Sequence, residues 1–85
     1  MRLDKYLKVS RIIKRRTIAN SACDAGKVLV NGKAARASYD VKIGDILEVS
    51  FGNRILKIKV LNTNEYAKKD DATNMYEIVN WYREL

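Results

Sequence analysis

The sequence predicts a small α+β domain in which two N-terminal helices pack on a short antiparallel sheet, with a further helix at the C-terminus. Three observations lead to this prediction. Apolar residues recur at helical spacing near both ends of the chain, an Asn-Gly pair marks a tight hairpin, and an alternating apolar and charged stretch is typical of a half-buried strand. The 85 residues suffice for one modest core but not for a core and an elaborate catalytic cavity.

Both N-terminal helices are predicted from apolar spacing. The first has an apolar face at i, i+3 and i+4 that consists of Leu3, Tyr6 and Leu7. The second spans about residues 16 to 25, with an apolar face of Ile18, Ala19, Ala22 and Cys23. Gly26 can adopt the left-handed conformation that ends a helix. Basic side chains fall on the opposite side of the first helix, which is therefore amphipathic.

The sheet is predicted from turns and alternation. Residues 27–30 lead into Asn31-Gly32, and this pair tolerates the positive φ angles of a type I′ hairpin turn. A second hairpin is expected over residues 46–51 and 54–60, joined at Gly52 and Asn53. Its second strand alternates apolar and lysine residues, so that one face packs and the other is solvated.

The C-terminal third is predicted to contain a linker and a helix. Residues 1–61 form the main domain, and residues 62–73 mix charges of both signs, which is typical of a solvated connection. Over residues 74–85, helical spacing returns with Met75, Ile78, Val79, Tyr82 and Leu85. We expect this helix to begin at Asn74 as N-cap and to dock on the main domain.

The positive charge is concentrated at one end of the chain. The net charge is +7, and residues 1–36 hold ten Lys or Arg against two acids. Such clustering favours a polyanion, with nucleic acid ahead of a membrane surface. The candidate binding residues are the basic ones of the first sixteen: Arg2, Lys5, Lys8, Arg11, Lys14, Arg15 and Arg16.

Arg15 and Arg16 are placed where they do not help folding. The first turn of a helix carries partial positive charge and free N–H groups, so two arginines there should cost a few tenths of a kcal/mol each. The same site suits an anion, because N–H donors converge on it and guanidinium groups can hold phosphate oxygens in bidentate fashion. We expect Arg2, Arg15 and Arg16 to converge on an RNA backbone and to remain uncompensated within the protein.

Four other side chains have two interpretations each. Asp4 either orients Arg2 or Lys8 across one turn or is a solvated carboxylate. Tyr6 is favoured as a core residue over a ring that contacts a base or ribose. Trp81 and Tyr82 are favoured as core and rim over a stacking platform, with Trp81 the more interesting of the two if it is exposed.

The sequence lacks the residues on which most enzymatic functions depend. The chain has no histidine, a single cysteine and no glycine-rich phosphate loop, so we expect no catalysis, no metal and no cofactor. Cys23 is interpreted as small buried filler. We find no apolar run long enough to span a membrane and no secretory signal, and therefore expect a cytoplasmic protein without a membrane partner.

Four blocks in order carry a family resemblance. RLDKYL (2–7), KRRTIA (14–19), GKVLVNG (26–32) and VKIGDI (41–46) resemble the alpha-L RNA-binding motif, shared with small-subunit ribosomal protein S-four, over about residues 1–51. The N-terminal run and the segment with Ala72, Met75 and Tyr76 are similar to the RqcP family of bacterial ribosome-associated quality control. The alpha-L motif commonly has serine at the position that Arg15 occupies in this chain.

The resemblance to the RqcP family implies a function. Its members are non-catalytic factors that bind large ribosomal subunits obstructed by peptidyl-tRNA, contacting 23S rRNA and the P-site tRNA. They support RqcH, which extends the stalled chain with C-terminal alanine. We expect a monomer away from the ribosome that recognises RNA shape rather than base sequence.

Three alternatives remain open at this point. One is heat-shock-type rescue of dissociated large subunits without tailing, and another is binding to DNA. The third is a protein-interaction adaptor that uses a C-terminal surface of Met75, Ile78, Val79, Trp81 and Tyr82.

Overall fold

A computed structural model describes residues 1–63 and 74–83. It contains two helices, α1 (Leu3–Val9) and α2 (Arg16–Asp24). The five strands are β1 (Val28–Val30), β2 (Lys33–Ala34), β3 (Ile46–Phe51), β4 (Arg54–Val60) and β5 (Tyr76–Arg83). They form one sheet in the order β2-β1-β3-β4-β5, and every neighbouring pair is antiparallel. The predicted α+β architecture is confirmed.

The core lies between the helices and one face of the sheet. Leu3, Tyr6 and Leu7 of α1 are fully buried, as their spacing predicts. They join the buried residues of the central strands in a single cluster. The Tyr6 hydroxyl donates a hydrogen bond of 2.7 Å to the backbone carbonyl of Met75, immediately before β5. Tyr6 is therefore a core residue that ties α1 to the last strand.

The hairpin between β1 and β2 has the predicted turn. Asn31 and Gly32 have φ angles of 52° and 86°, both in the left-handed region that a type I′ turn requires. The Asn31 side chain also reaches the turn before β3, where it donates to the Asp45 carboxylate at 3.1 Å and accepts from the Ile46 N–H at 2.9 Å. The two turns are thereby fixed to each other.

Helix α2 matches its predicted span but not all of its predicted face. Ala19 and Cys23 are buried, and Cys23 is the small apolar filler that was expected. Ile18, however, is 54% exposed, so its assignment to the apolar face is wrong. It lies one residue before Ala19, and in a helix of 3.6 residues per turn that step rotates the side chain by about 100°.

The predicted C-terminal helix is wrong, because the structure forms β5 there. Antiparallel pairing with β4 runs along the whole of β5, which satisfies backbone groups that β4 would otherwise leave unpaired. The register contains a bulge beside Lys57 and Ile58, with Asn80 opposite Lys57 and Ile78 opposite Ile58. Val79 is the extra residue.

The bulge determines which residues of β5 share the core face of the sheet. Directly opposed residues share a face of the sheet, so the residues of β5 on the core side are Tyr76, Ile78, Trp81 and Arg83. Of the described residues on which the helix was predicted, Ile78 lies on this face, whereas Met75 precedes the strand, Val79 is the bulged residue and Tyr82 lies on the opposite face. Asn74 is therefore not the N-cap of a helix, and this part of the prediction is wrong as well. The charged linker predicted over residues 62–73 lies outside the described residues, apart from Asn62 and Thr63.

Replacement of Tyr6 by Phe tests the tie between α1 and the last strand. We expect Tyr6→Phe to lower the free energy of unfolding by about 1 kcal/mol, since it removes one buried hydrogen bond and keeps the ring. Denaturant unfolding monitored by circular dichroism measures the change. Tyr82→Phe is the matched control, because its hydroxyl bonds to Glu48 at the partly exposed outer face and should contribute less. Equal losses in the two variants would contradict the proposed importance of the Tyr6 contact.

Candidate nucleic-acid interface

Asp4 is the residue around which the basic end is organised. It lies in the first turn of α1 and is only 2% exposed. Its carboxylate accepts hydrogen bonds from the Lys5 backbone N–H at 2.8 Å and from the Asn20 amide at 3.2 Å. Asn20 belongs to α2, so this carboxylate joins the two helices.

Two arginines pair with the same carboxylate. Arg2 donates through Nε at 3.2 Å and Nη2 at 3.5 Å, and Nε of Arg16 lies 3.4 Å from Asp4 Oδ2. The Arg2 and Arg16 side chains remain 50% and 46% exposed. We call Asp4, Arg2, Arg16 and Asn20 the Asp4 clamp. It holds two half-exposed guanidinium groups side by side.

The clamp corrects one expectation and decides between two others. The positive charges of Arg2 and Arg16 are predicted from the sequence to lack a partner within the protein. This prediction is wrong, because the buried Asp4 carboxylate pairs with both. Burial excludes a solvated Asp4, and the pairing with Arg2 is the orienting role that its position suggested. One negative charge between two positive ones leaves a net positive cluster whose geometry is fixed.

Two opposing effects act on the pKa of the Asp4 carboxyl. Burial raises it, whereas hydrogen bonds from Arg2, Asn20 and the Lys5 N–H, together with the charge of Arg16, lower it. The lowering effects prevail, so the pKa lies below its usual value of 3.8. Asp4 is therefore ionised at neutral pH, and it favours the charged arrangement of the clamp.

The N-terminus of α2 is open to an anion. Arg15 occupies the N-cap position, and no side chain caps the helix there. The N–H groups of the first turn have no acceptor within the helix, and Arg16 is its first residue. A shallow cleft of about 450 Å³ lies beside this turn and is lined by Asp4, Arg16, Thr17, Asn20 and Ser21.

The other predicted binding residues precede this turn in the sequence. Lys5 and Lys8 lie on α1, whereas Arg11 and Lys14 lie in the connection to α2. Across the described residues, no carboxylate lies within ion-pair distance of Lys8, Arg11, Lys14 or Arg15, and all four are exposed. Arg11 has a φ angle of 63°, a conformation that favours glycine. Backbone preference therefore does not account for an arginine at this position.

Sequence reasoning missed Asn20. It lies four residues after Arg16, so the two share one face of α2, and this spacing was the available signal. Nothing in the sequence showed that Asp4 would reach that face from another helix.

The described residues offer little for other chemistry. None of their acidic and cysteine side chains group in the way a metal site requires. Burial raises the pKa of the Cys23 thiol to about 11, and the charges of Asp4 and Asp24 add to the shift, so the thiol stays protonated at neutral pH. Neither α1 nor α2 is long and apolar enough to cross a membrane.

Comparison with known proteins identifies the family of this chain. Residues 1–47 match the S4 domain. The RQC P-site tRNA stabilizing factor of Streptococcus pneumoniae is 55% identical over 80 residues, which cover 94% of this chain and 91% of that protein. The chain belongs to this S4-domain family. The factor of the same name from Bacillus subtilis is 51% identical over 79 residues, covering 93% and 92% of the two chains.

A solved structure shares the fold of this family member. The trimeric structure of Vibrio cholerae heat shock protein 15 superposes with a TM-score of 0.85 and 29% identity. The match covers 93% of this chain and 81% of that one. The resemblance to the S4 RNA-binding domain, which the four sequence blocks carry, is thus confirmed.

Replacement of Asp4 by Asn tests the clamp. We expect Asp4→Asn to lower the free energy of unfolding at pH 7 by about 1–3 kcal/mol, because it weakens several hydrogen bonds to a buried charge. The folded-state pKa is depressed, so this stabilisation is complete above pH 3.8 and is lost as pH falls through the lower folded pKa. Unfolding curves measured from pH 7 to pH 2 therefore should differ most between variant and wild type above pH 3.8.

Asp24→Asn provides the matched control. Asp24 is an exposed carboxylate at the last residue of α2, where the helix dipole disfavours a negative charge. Its replacement should leave stability unchanged or slightly raised. A loss equal to that of Asp4→Asn would argue against the clamp.

Proposed function

We propose that this protein is a non-catalytic RNA-binding factor of ribosome-associated quality control. In this proposal it binds large ribosomal subunits obstructed by peptidyl-tRNA and contacts 23S rRNA and the P-site tRNA. It supports the extension of the stalled chain with C-terminal alanine by RqcH. It acts in the cytoplasm and is a monomer away from the ribosome.

The observation that carries the proposal is the Asp4 clamp at the open N-terminus of α2. Arg2 and Arg16 are held together by one buried carboxylate, and about half of each side chain is still available to a ligand. A side chain that is already oriented loses less entropy when it binds. The guanidinium fork, the unpaired N–H groups of the helix and the dipole all favour a phosphate at this point.

RNA is the polyanion that fits this surface best. The exposed Lys8, Arg11, Lys14 and Arg15 extend the positive charge beyond one phosphate, as a repeating backbone requires. Contacts of this kind position a protein without reading bases, and folded RNA is recognised largely by shape. The basic residues of the first sixteen positions are therefore proposed as the RNA contact.

The effect on tRNA follows from differential binding. A protein that holds rRNA and the P-site tRNA together favours the tRNA position to which it binds better. The relatives are named for stabilising P-site tRNA, which is the outcome that such binding would give. No group of the protein needs to react for this purpose.

A second candidate is heat-shock-type rescue of dissociated large subunits without alanine tailing. The structural likeness to heat shock protein 15 favours it, although that protein is less similar in sequence than the quality-control relatives. The rival roles share the same RNA surface. They differ in their dependence on RqcH.

Arg16→Gln tests the RNA surface. We expect it to weaken binding to large subunits carrying peptidyl-tRNA by about 1–3 kcal/mol, since it removes one charge-assisted phosphate contact. The slope of log K against log salt should fall in magnitude by about 1. Stability should change by less than about 1 kcal/mol, because the ion pair with Asp4 is half exposed. Cosedimentation over a salt series and thermal unfolding measure the two effects.

Lys59→Gln is the matched control for charge. Lys59 is exposed on the face of β4 opposite the core, and its replacement removes the same unit of charge. It should weaken subunit binding much less. A similar loss in both variants would mean that the RNA surface has been placed wrongly.

Deletion of the protein separates the two candidate functions. We expect cells that lack it to lose C-terminal alanine tails on stalled chains while RqcH is present. Mass spectrometry of a stalled reporter measures the tails. Tails of normal length and abundance after deletion would favour the heat-shock-type role.

A further inference from the structure

A second surface lies at the far end of the sheet from the Tyr6 contact. Phe51, Arg54, Trp81 and Arg83 cluster where β3, β4 and β5 meet the Gly52-Asn53 turn, and we call them the Trp81 patch. The register places Arg54 beside Phe51 on one side and Arg83 on the other, and it places Trp81 opposite the buried Leu56. All four residues therefore extend the core face of the sheet.

The aromatic part of this patch is accessible. Phe51 and Trp81 are 37% and 42% exposed, although they lie on the face that is buried elsewhere in the sheet. Their ring centroids are 6.1 Å apart, and the ring planes are inclined at 40°. Two neighbouring exposed rings offer a surface on which a planar group can stack.

The charged part of the patch consists of two opposed arginines. Arg54 and Arg83 face each other directly across β4 and β5, an arrangement of like charges that destabilises a strand pair. Within the described residues, neither has a carboxylate at ion-pair distance. The Arg54 guanidinium carbon lies 4.7 Å from the centroid of the Trp81 ring. This cation–π contact fixes Arg54 beside the aromatic surface.

We propose that the Trp81 patch binds an unpaired nucleotide of RNA. The base stacks on the exposed part of Trp81, beside the inclined ring of Phe51, and Arg54 and Arg83 bind the flanking phosphates. Stacking on aromatic side chains next to basic ones is the usual basis of single-strand binding, and it tolerates any base because every base has a π face.

The charges decide between RNA and a protein as the occupant. A purely apolar partner would leave two opposed arginines to be desolvated without compensation, whereas a nucleotide supplies both the flat apolar ring and the negative charge. The patch also lies about 20 Å along β4 from the end that α1 contacts, given about 3.3 Å per strand residue. Its residues lie on β3, β4 and β5, whereas those of the Asp4 clamp lie on α1, on α2 and just before α1, so the two surfaces are built from different elements.

The inference rests on the proposed function, since it adds a second RNA contact to the first. The two can nevertheless fail separately. The function is tested on ribosomal subunits through Arg16, and the patch is tested on a short free RNA through Trp81.

Trp81 is the sole tryptophan of the chain, so its fluorescence reports on the patch directly. The full chain is titrated with a short oligoadenylate and, separately, with a blunt RNA duplex of equal length. We expect saturable quenching by the single strand and much less by the duplex, whose bases are stacked on each other. Absence of quenching by the single strand would overturn the proposal, and this measurement needs no variant.

Variants then identify the contacts, with affinity followed by anisotropy of a labelled oligoadenylate. Trp81→Leu should weaken binding about tenfold, and Trp81→Phe, which keeps a ring, should restore most of it. Arg54→Gln should weaken binding more than Lys59→Gln, which removes the same charge from the opposite face. Circular dichroism and thermal unfolding check that each variant folds.

Three results with the variants would overturn the inference. The first is equal loss in Arg54→Gln and Lys59→Gln, which would mean that only the overall charge matters. The second is self-association of the wild type that Trp81→Leu abolishes while oligoadenylate binding is unchanged, which would identify a second copy as the occupant. The third is normal binding of oligoadenylate by the patch variants while Arg16→Gln binds large subunits more weakly. That result would overturn this inference and leave the proposed function standing.

Discussion

The pairing of one buried carboxylate with two arginines is the interaction on which the basic end depends. Asp4 is nearly inaccessible to solvent and bonds to Arg2, Arg16 and Asn20, so it connects the start of α1 to the first two turns of α2. Without it, two positively charged side chains would repel each other beside the positive end of a helix dipole. The carboxylate removes that conflict and leaves half of each guanidinium-bearing side chain exposed to a partner.

The sheet sets the second constraint, since its core face is longer than the helices that cover it. Leu47, Val49 and Ile58 are fully buried, yet the same face ends in the half-exposed Phe51 and Trp81. β5 makes this possible by pairing with all of β4 and carrying Trp81 and Arg83 beyond the covered region. The strand thus completes the hydrogen bonding of the sheet and also places aromatic and basic groups where a further ligand can reach them.

Local patterns predicted the fold well where the relevant interactions are local. The Asn31-Gly32 turn, the alternation of β4 and the apolar face of α1 follow from conformational preference and periodicity over a few residues. β5 could not be predicted in this way, because a bulge at Val79 depends on the register against β4 and disguises the period of two. Likewise, the seven basic residues could be listed from the sequence, but the pairing of Arg2 and Arg16 with Asp4 depends on how two helices meet.

The clamp also changes how the positive charge should be understood. A patch of free arginines attracts any polyanion, and its side chains lose entropy when they are ordered on the ligand. Here Asp4 lowers the net charge of the cluster but fixes the directions of two donors before the ligand arrives. In the proposed function, non-specific attraction therefore falls while complementarity to one arrangement of phosphates rises. Such a balance suits a protein that must distinguish one folded site among many similar RNA surfaces, because shape and not total charge then decides where it binds.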